Sequence, residues 1–225
     1  MDEQKEIQQP STELGYKVWF TSDNHIRHKN IIKHCPQRAE AGGFDPEDLE
    51  AQDKWLLDKW NATVGKKDLV YIVGDFTFMT TEWAKRYLGK MNGRKYLILG
   101  NHDKSTEHLQ GYFKDITQMK EVQFKQKNFP FLDEDFRVFL CHYAMVVWPS
   151  KHYGVVQVHG HSHGRLDDFN NESTDLRVDV GWDSTLGNYG LVSLEDLYKY
   201  FKAKTGGLKM MEYATKMKND RAMTV

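Results

Sequence analysis

The sequence predicts an α/β fold, and three observations indicate it. Five short runs rich in aliphatic and aromatic residues are spread along the chain, at residues 16–20, 69–73, 95–99, 137–140 and 155–158. Most of these runs are almost continuously apolar, which is typical of strands that are covered on both faces. The segments between the runs show helical patterns, so helices are expected to cover the sheets.

Two helices are predicted in the first half of the chain. Residues 48–65 carry apolar side chains at intervals of three or four positions, namely Leu49, Trp55, Leu56 and Trp60. A second helix is expected to begin with Thr80 or Thr81 as its N-cap and to stop at Asn92-Gly93, where glycine can adopt a left-handed conformation.

The C-terminal part of the chain is also predicted to be helical. Ser193 and Asp196 have the spacing of a helix start, and Gly206-Gly207 separates this helix from a further helical pattern that begins at residue 208. Residues 193–225 are therefore predicted to form a helical extension, packed on a domain that spans residues 14–192 or projecting from it. Residues 1–13 are polar and are expected to form a flexible lead-in.

Composition favours one domain and excludes several classes of protein. The chain has 225 residues, 40% of them hydrophobic, with a formal net charge of -1, so neither nucleic acid nor an anionic membrane attracts it as a whole. No run approaches the length of a membrane helix, and the polar start is unlike a signal peptide. The two cysteines show no CxxC spacing, which is typical of reduced thiols, so a cytoplasmic protein is expected.

Side chains that can bind metal ions follow each of the five predicted strands. They are Asp23, Asn24 and His25 after the first, Asp75 after the second, Asn101, His102 and Asp103 after the third, His142 after the fourth, and His161 and His163 after the fifth. Loops at the carboxyl ends of neighbouring strands converge in open α/β sheets, and ligand sites form there. Each motif alone is ordinary turn chemistry, but their joint occurrence after every strand indicates one site.

In this order, the D-x-H, GD, GNHD, isolated H and GH-x-H motifs resemble those of the calcineurin-like metallophosphoesterases. The resemblance spans residues 23–163, and W-F-x-S-D, H-K-N-I-I and D-V-G-W-D resemble short bacterial and phage members in particular. It implies a four-layer αββα sandwich of two mixed β-sheets flanked by helices. It also implies a hydrolase of phosphate mono- or diesters, acting on a small or nucleotide-like substrate.

The resemblance assigns a metal ligand to each motif. It implies that Asp23, His25 and His163 hold one divalent cation, that Asn101, His142 and His161 hold another, and that Asp75 bridges both. Carboxylates offset the charge of adjacent dications, whereas imidazoles and an amide complete the shells without further negative charge. Nitrogen and oxygen ligands without a thiolate suit manganese, iron or zinc, and manganese is the first choice.

The resemblance also assigns the chemistry. A hydroxide that bridges the cations would be the nucleophile, and His102 would donate a proton to the leaving group. The chain departs from the family where many members continue GD as GDxxDRG, because residues 76–79 are Phe, Thr, Phe and Met. The Asp that can orient the catalytic histidine and the Arg that can hold phosphate are therefore absent, and Asp103 is a conceivable substitute for the Asp.

Phosphate anchoring must then come from other residues near the predicted ligands. The candidates are Arg27, His28, Asn30 and Arg165. Two other functions stay open. A nuclease is one, since aromatic residues that could stack a base lie in nearby loops, at Tyr143, Trp148, Tyr153 and Trp182. A non-catalytic metal-binding scaffold is the other. Balanced charge argues weakly against long nucleic-acid substrates, and the sequence leaves the oligomeric state open.

Overall fold

The computed structural model describes residues 14–77, 81–103 and 106–223, so the predicted lead-in at residues 1–13 lies outside the described residues. Nine strands form within these ranges: β1 (Val18–Thr21), β2 (Leu69–Val73), β3 (Arg94–Ile98), β4 (Phe113–Thr117), β5 (Met119–Phe124), β6 (Phe136–Cys141), β7 (Val156–His159), β8 (Arg177–Asp179) and β9 (Val192–Ser193).

The strands form two mixed sheets. The first has the order β4-β3-β2-β1-β9, in which β1 to β4 are parallel and β9 runs antiparallel to β1. The second has the order β5-β6-β7-β8, in which β5 is antiparallel to β6 and the other pairs are parallel. Within each sheet, the parallel strands therefore deliver the loops that follow them to one edge.

Seven α-helices accompany the sheets: α1 (Ile31–His34), α2 (Gln37–Gly42), α3 (Leu49–Thr63), α4 (Thr81–Leu88), α5 (Asp167–Glu172), α6 (Leu194–Lys204) and α7 (Met210–Met223). Short 3-10 turns cover Thr106–Tyr112, Gln126–Asn128 and Lys151–Tyr153. Among the described residues, we find no helix with the length and apolarity needed to traverse a lipid bilayer.

Alternate residues of the strands pack on opposite faces, as the period of two in a strand requires. In β2, Tyr71 and Val73 join a core cluster that also contains Val138 and Val158 of the second sheet. Val70 of the same strand instead belongs to a cluster on the other face, where the helix side chains pack. Both faces of the first sheet are thus covered, and the predicted sandwich of two mixed sheets flanked by helices is confirmed.

Caps set the start of two helices where the sequence predicted them. The side chain of Asp48 accepts a hydrogen bond from the amide of Ala51 at the start of α3, and Ser193 accepts one from the amide of Asp196 at the start of α6. Four side chains of α6 are buried in the core cluster between the sheets: Leu194, Leu197, Tyr198 and Phe201. The predicted boundary at residue 193 stays a prediction.

Two helix boundaries differ from the sequence prediction. Helix α4 ends at Leu88 rather than at Asn92-Gly93. Gly89, which follows it directly, lowers helix propensity, and Gly93 lies further on in a left-handed turn with φ of 87° that leads into β3. Helix α7 begins at Met210, two residues later than the start of the predicted pattern.

Candidate metal centre

The predicted ligands lie at the carboxyl edges of both sheets. Asp23 and Asp75 follow β1 and β2, Asn101 follows β3, and His142 and His161 follow β6 and β7. Backbone hydrogen bonds join the loops: the amide of Asp23 donates to the carbonyl of Gly74 at 3.0 Å, and His25 donates to Asp75 at 3.0 Å. These bonds hold the loops after β1 and β2 side by side.

The first ligand group contains Asp23, His25 and His163. One atom from each lies within 4.8 Å of the others. Oδ1 of Asp23 is 3.8 Å from Nε2 of His25 and 3.6 Å from Nε2 of His163. These spacings bring a carboxylate oxygen and two ring nitrogens around one point, as a cation site requires.

The second ligand group contains Asp75, His142 and His161, again with one atom of each within 4.8 Å of the others. Nε2 of His142 is 3.4 Å from Oδ2 of Asp75 and 3.2 Å from Oδ1 of Asn101. The same Oδ2 of Asp75 is also 3.7 Å from Nε2 of His25, which belongs to the first group. A single oxygen of Asp75 therefore faces both groups.

Each carboxylate divides its two oxygens between the backbone and the centre. Oδ2 of Asp23 accepts the amide of His161 at 2.9 Å, and Oδ1 of Asp75 accepts the amide of His102 at 2.9 Å. Oδ1 of Asp23 is buried and accepts no hydrogen bond from the described residues. A buried carboxylate oxygen without a hydrogen bond destabilises the folded chain unless a cation lies beside it. The side chains present are therefore suited to binding a metal ion.

The electrostatics agree with ionised carboxylates at this centre. Burial opposes ionisation of Asp23, but the neighbouring imidazoles of His25, His163 and His142 hold its pKa below the usual range. Burial likewise opposes ionisation of Asp75, and His142 is the main group that lowers its pKa. Both aspartates therefore offer negative charge to a cation near neutral pH.

The imidazoles are oriented by partners on their other nitrogen. Nδ1 of His142 lies 2.8 Å from the carbonyl of Val73, and Nδ1 of His163 lies 2.6 Å from Oδ2 of Asp183. A partner of this kind fixes the ring and leaves Nε2 for the metal. Burial lowers the pKa of His163, but the contacts with Asp183 and Cys35 and the charges of Asp23 and Asp183 together outweigh it and raise that pKa to about 10, so cation binding at Nε2 competes with a proton.

The backbone of the ligand loops is unusual. Five proposed ligands have a positive φ: Asp23, His25, Asp75, His161 and His163. Glycines allow close approach beside them, since a Cβ at Gly74 would collide with the His142 ring and one at Gly160 with the side chains of Ser22 and Asp23. Backbone strain of this kind clusters at functional sites.

His102 lies at the mouth of the centre. Its side chain is 40% exposed, and its Nε2 is 3.9 Å from Oδ2 of Asp75. Its ring lies 5.7 Å from that of His25 and 6.0 Å from that of His28, between centroids. The position suits a group that faces solvent and substrate on one side and the ligands on the other.

The carboxylate of Asp103 is directed to the backbone. It accepts hydrogen bonds from the amides of Asp75 at 2.7 Å, Phe76 at 2.9 Å and Gly100 at 2.9 Å. Asp103 thereby ties the loop after β2 to the loop after β3. Its suggested role in orienting His102 stays a prediction.

The four candidates for phosphate anchoring lie in different surroundings. Nδ1 of His28 is 3.2 Å from Nδ1 of His25, so His28 adjoins the centre. The guanidinium of Arg27 lies over the ring of Trp83 at 4.6 Å and beside the carboxylate of Asp53. Asn30 is exposed at the start of α1, and Arg165 is exposed in the loop after β7. His28 therefore lies beside the proposed ligands, whereas the side chain of Arg27 contacts residues of α3 and α4.

Of the four loop aromatics, Trp148 and Trp182 are buried in the core. Tyr143 is 46% exposed, and its ring centroid lies 4.7 Å from that of His161. Tyr153 is also exposed, at the Lys151–Tyr153 turn. Tyr143 is therefore an exposed aromatic side chain in direct contact with a proposed ligand.

Three residues that support the ligands were not identified from the sequence. Asp183 holds His163, and the fully buried Arg38 donates to Asp183. Asp179 accepts the hydroxyl of Ser162 and the amide of Gly164, on either side of His163. The two aspartates belong to the D-V-G-W-D motif, which was noted without a role, whereas nothing in the sequence singles out Arg38.

The sequence profile described as calcineurin-like phosphoesterase matches residues 16–206. The chain is similar to the Gene 66 protein of Mycobacterium phage L5, with 42% identity over 89 residues, which cover 38% of this chain and 39% of that protein. It is similar to an uncharacterized protein of Methanocaldococcus jannaschii, with 36% identity over 93 residues, which cover 40% of this chain and 49% of that protein.

The Gene 66 protein of Mycobacterium phage D29 is 29% identical over 172 residues, which cover 66% of this chain and 79% of that protein. The matched part spans about two fifths of the phage L5 protein and about half of the archaeal one. A solved structure of a protein of unknown function from Aquifex aeolicus has the same fold, with a TM-score of 0.59 at 23% identity over 82% of this chain and 99% of that chain. The profile match covers most of the chain, and the chain therefore belongs to the calcineurin-like phosphoesterase family, with short phage proteins among its relatives.

Proposed function

We propose that the chain hydrolyses phosphate mono- or diesters with two divalent cations. One cation would be held by Asp23, His25 and His163, the other by Asn101, His142 and His161, with Asp75 shared. The observation that carries this proposal is the position of Oδ2 of Asp75, which lies 3.7 Å from Nε2 of His25 in one group and 3.4 Å from Nε2 of His142 in the other.

When bound, two such cations neutralise phosphate oxygens and lower the pKa of water. The residues of the chain then orient the reactants. We assign His102 the role of proton donor to the leaving oxygen, because its ring is partly exposed at the mouth of the centre while its backbone is fixed to Asp75. A positioned acid contributes about 10² to 10⁴ in rate.

Manganese is the proposed metal, with iron or zinc as alternatives. The proposed ligand atoms are nitrogens and oxygens, a set that suits these borderline ions. The buried thiol of Cys35 lies near the centre but contacts Nδ1 of His163, at 3.4 Å, rather than the Nε2 that faces Asp23. The thiol is thus on the far side of that ring from the proposed ligand atoms.

The test is hydrolysis of bis-p-nitrophenyl phosphate and p-nitrophenyl phosphate after dialysis against a chelator, with and without added Mn²⁺. We expect Mn²⁺ to restore cleavage of at least one ester. Asp75→Asn removes the shared carboxylate and is expected to abolish the restored activity. Failure of Mn²⁺, Fe²⁺ and Zn²⁺ alike to restore cleavage of either ester would contradict the proposal.

A nuclease is the second candidate, and the exposed Tyr143 beside His161 favours it, since an aromatic ring can stack a nucleobase. The net charge of -1 provides no general attraction for a long polyanion. Labelled single- and double-stranded DNA and RNA, incubated with the Mn²⁺-loaded protein, separate the two candidates. Intact polymers beside cleaved small esters would exclude the nuclease.

A further inference from the structure

A fully buried arginine lies behind the first ligand group. Arg38, in the first turn of α2, has no exposed side-chain surface. Its guanidinium donates to both carboxylate oxygens of Asp183, from Nε to Oδ1 at 2.7 Å and from Nη2 to Oδ2 at 2.5 Å. This is the two-pronged geometry in which Arg and a carboxylate bind most strongly.

The other donors of Arg38 reach the backbone of the ligand loop. Nη2 donates to the carbonyl of Asp23 at 2.6 Å, and Nη1 donates to the carbonyl of Asn24 at 3.1 Å. Asp23 has a φ of 54°, in the left-handed region that non-glycine residues adopt infrequently and at some energetic cost. Arg38 therefore stabilises the strained turn that presents the carboxylate of Asp23.

Asp183 also orients a second proposed ligand, His163. Its Oδ2 lies 2.6 Å from Nδ1 of His163, whose Nε2 faces Oδ1 of Asp23. Arg38 and Asp183 together are neutral, so the pair orients the ring without a net change in the charge around the centre. By comparison, the ring of His142 in the second group is held by the backbone carbonyl of Val73.

We propose that Arg38 and Asp183 are positioning residues that set the affinity of the Asp23, His25 and His163 group for its cation. This inference rests on the proposed function of the same site. Because Arg38 is completely enclosed and its hydrogen bonds are internal, it acts through Asp23 and His163 and does not touch the substrate. Partners of metal-bound histidines typically change metal affinity by about 10- to 100-fold when they are mutated.

The experiment measures Mn²⁺ binding to the chelator-treated full chain by isothermal titration calorimetry. Two variants are compared with the wild type, Asp183→Asn and Arg38→Lys. In both, we expect one class of Mn²⁺ site to weaken by about 10- to 100-fold while the other keeps its affinity. Electron paramagnetic resonance is expected to change from the spectrum of a coupled Mn²⁺ pair to that of a single ion at two equivalents of metal.

Arg177→Lys is the matched control. Arg177 in β8 is also buried, and its guanidinium donates to Asn170 at 2.8 Å and to the carbonyl of Met145 at 2.9 Å, away from the proposed ligands. Its variant is expected to keep both Mn²⁺ affinities. Circular dichroism establishes that each variant is folded at the titration temperature. If Arg38→Lys does not fold, the Mn²⁺ affinity of Asp183→Asn alone tests the proposal.

The outcomes separate the two proposals. A wild-type chain that binds two Mn²⁺ ions and hydrolyses the test esters, with both variants retaining wild-type affinities, would overturn the positioning role and leave the proposed function intact. A wild-type chain that binds no Mn²⁺ pair would contradict the proposed function itself. Weakening in the Arg177→Lys variant equal to that in Arg38→Lys would also overturn the inference, because it would show a general effect of core arginines.

Discussion

One carboxylate oxygen of Asp75 lies beside three imidazoles of the centre. Oδ2 of Asp75 lies within 3.9 Å of ring nitrogens of His25, His102 and His142. Its other oxygen is bound by the amide of His102. A hydrogen bond thus connects the proposed shared ligand to the backbone of the proposed proton donor.

His102→Ala is expected to lower kcat by about 10² to 10⁴ without loss of Mn²⁺ binding, because the imidazole is the proposed proton donor to the leaving group and is not among the proposed ligands. The loss should be greater for alkyl phosphates than for p-nitrophenyl phosphate, since a better leaving group needs less protonation. Steady-state kinetics on both ester types measure the difference, and calorimetry measures the Mn²⁺ stoichiometry.

His108→Ala is the matched control for this variant, since His108 is exposed in the 3-10 turn that follows. Its kcat is expected to equal that of the wild type. An unchanged kcat for His102→Ala on both ester types would refute the assignment of the proton donor, and retained biological function in the same variant would favour a metal-binding scaffold.

The candidate ligands could be proposed from the sequence because their chemistry and position are both local properties. A carboxylate or imidazole directly after an apolar run is visible in one short window, and residues 23–163 contain five such windows. Arg38 gives no such signal, because its partner Asp183 is 145 positions away and only the fold brings them together. The orientation of each ring depends on contacts of this kind, so it could not be predicted.

At the scale of elements, the continuously apolar strands were predicted and the others were not. Strands β1, β2, β3, β6 and β7 each coincide with a predicted run. Strand β5 alternates exposed and partly buried residues along Met119–Phe124, so it lacks the continuous apolar run of a strand that is covered on both faces. Strands β8 and β9 contain three and two residues, too few to show periodicity. Their pairing with longer neighbours determines their structure.

The apolar pattern of helix α3 does not account for all of its buried side chains. Leu56 and Trp60 are buried as predicted, but Asp53 is buried on the same helix as well. Its Oδ1 accepts the amide of Arg27 at 2.9 Å, so the helix holds the loop after β1 through a polar contact. Burial raises the pKa of Asp53 from 3.8 to about 6, although Arg27 acts in the opposite direction.

This pKa predicts how stability depends on pH. The pKa of Asp53 is higher in the folded chain than in the unfolded chain, so the folded chain binds the proton of this carboxyl group more tightly. The stabilisation that this proton provides at low pH is lost as pH rises through about 6. The unfolding free energy of the wild type minus that of Asp53→Asn should therefore fall between about pH 4 and about pH 7, by at most about 3 kcal/mol.

Urea unfolding of the metal-free proteins measures this difference across the pH range. Asp58→Asn is the matched control, because Asp58 lies on the same helix with its side chain 61% exposed. The difference between the wild type and this control is expected to change little with pH. A wild-type advantage over Asp53→Asn that grows with pH would show that the ion pair with Arg27 outweighs burial.

At the scale of the whole molecule, the centre joins the two sheets. Asp23 and Asp75 come from the first sheet, and His142, His161 and His163 follow strands of the second. The amide of His161 donates to Asp23 across this boundary at 2.9 Å. A cation held by residues from both sheets would therefore link the two halves of the sandwich, and its binding energy would add to the stability of the folded chain.

Mn²⁺ is accordingly expected to raise the melting temperature of the chelator-treated chain. At a free concentration of about 100 times Kd, one site contributes about 2.7 kcal/mol, which corresponds to about 5 to 10 °C for a chain of this size. Thermal melts at increasing Mn²⁺ concentration measure the shift. Asp75→Asn is expected to lose most of it, and a wild-type melting temperature independent of Mn²⁺ would argue against a centre between the sheets.

The left-handed turns at the ligands restrict how this centre could be redesigned. Asp and His tolerate a positive φ better than β-branched or bulky residues do. At Asp23, His25, Asp75, His161 and His163, an exchange therefore alters the loop as well as the donor atom. Engineering the centre for another metal would require replacements that satisfy both demands at once, and Asn is a more promising starting substitution than a β-branched residue.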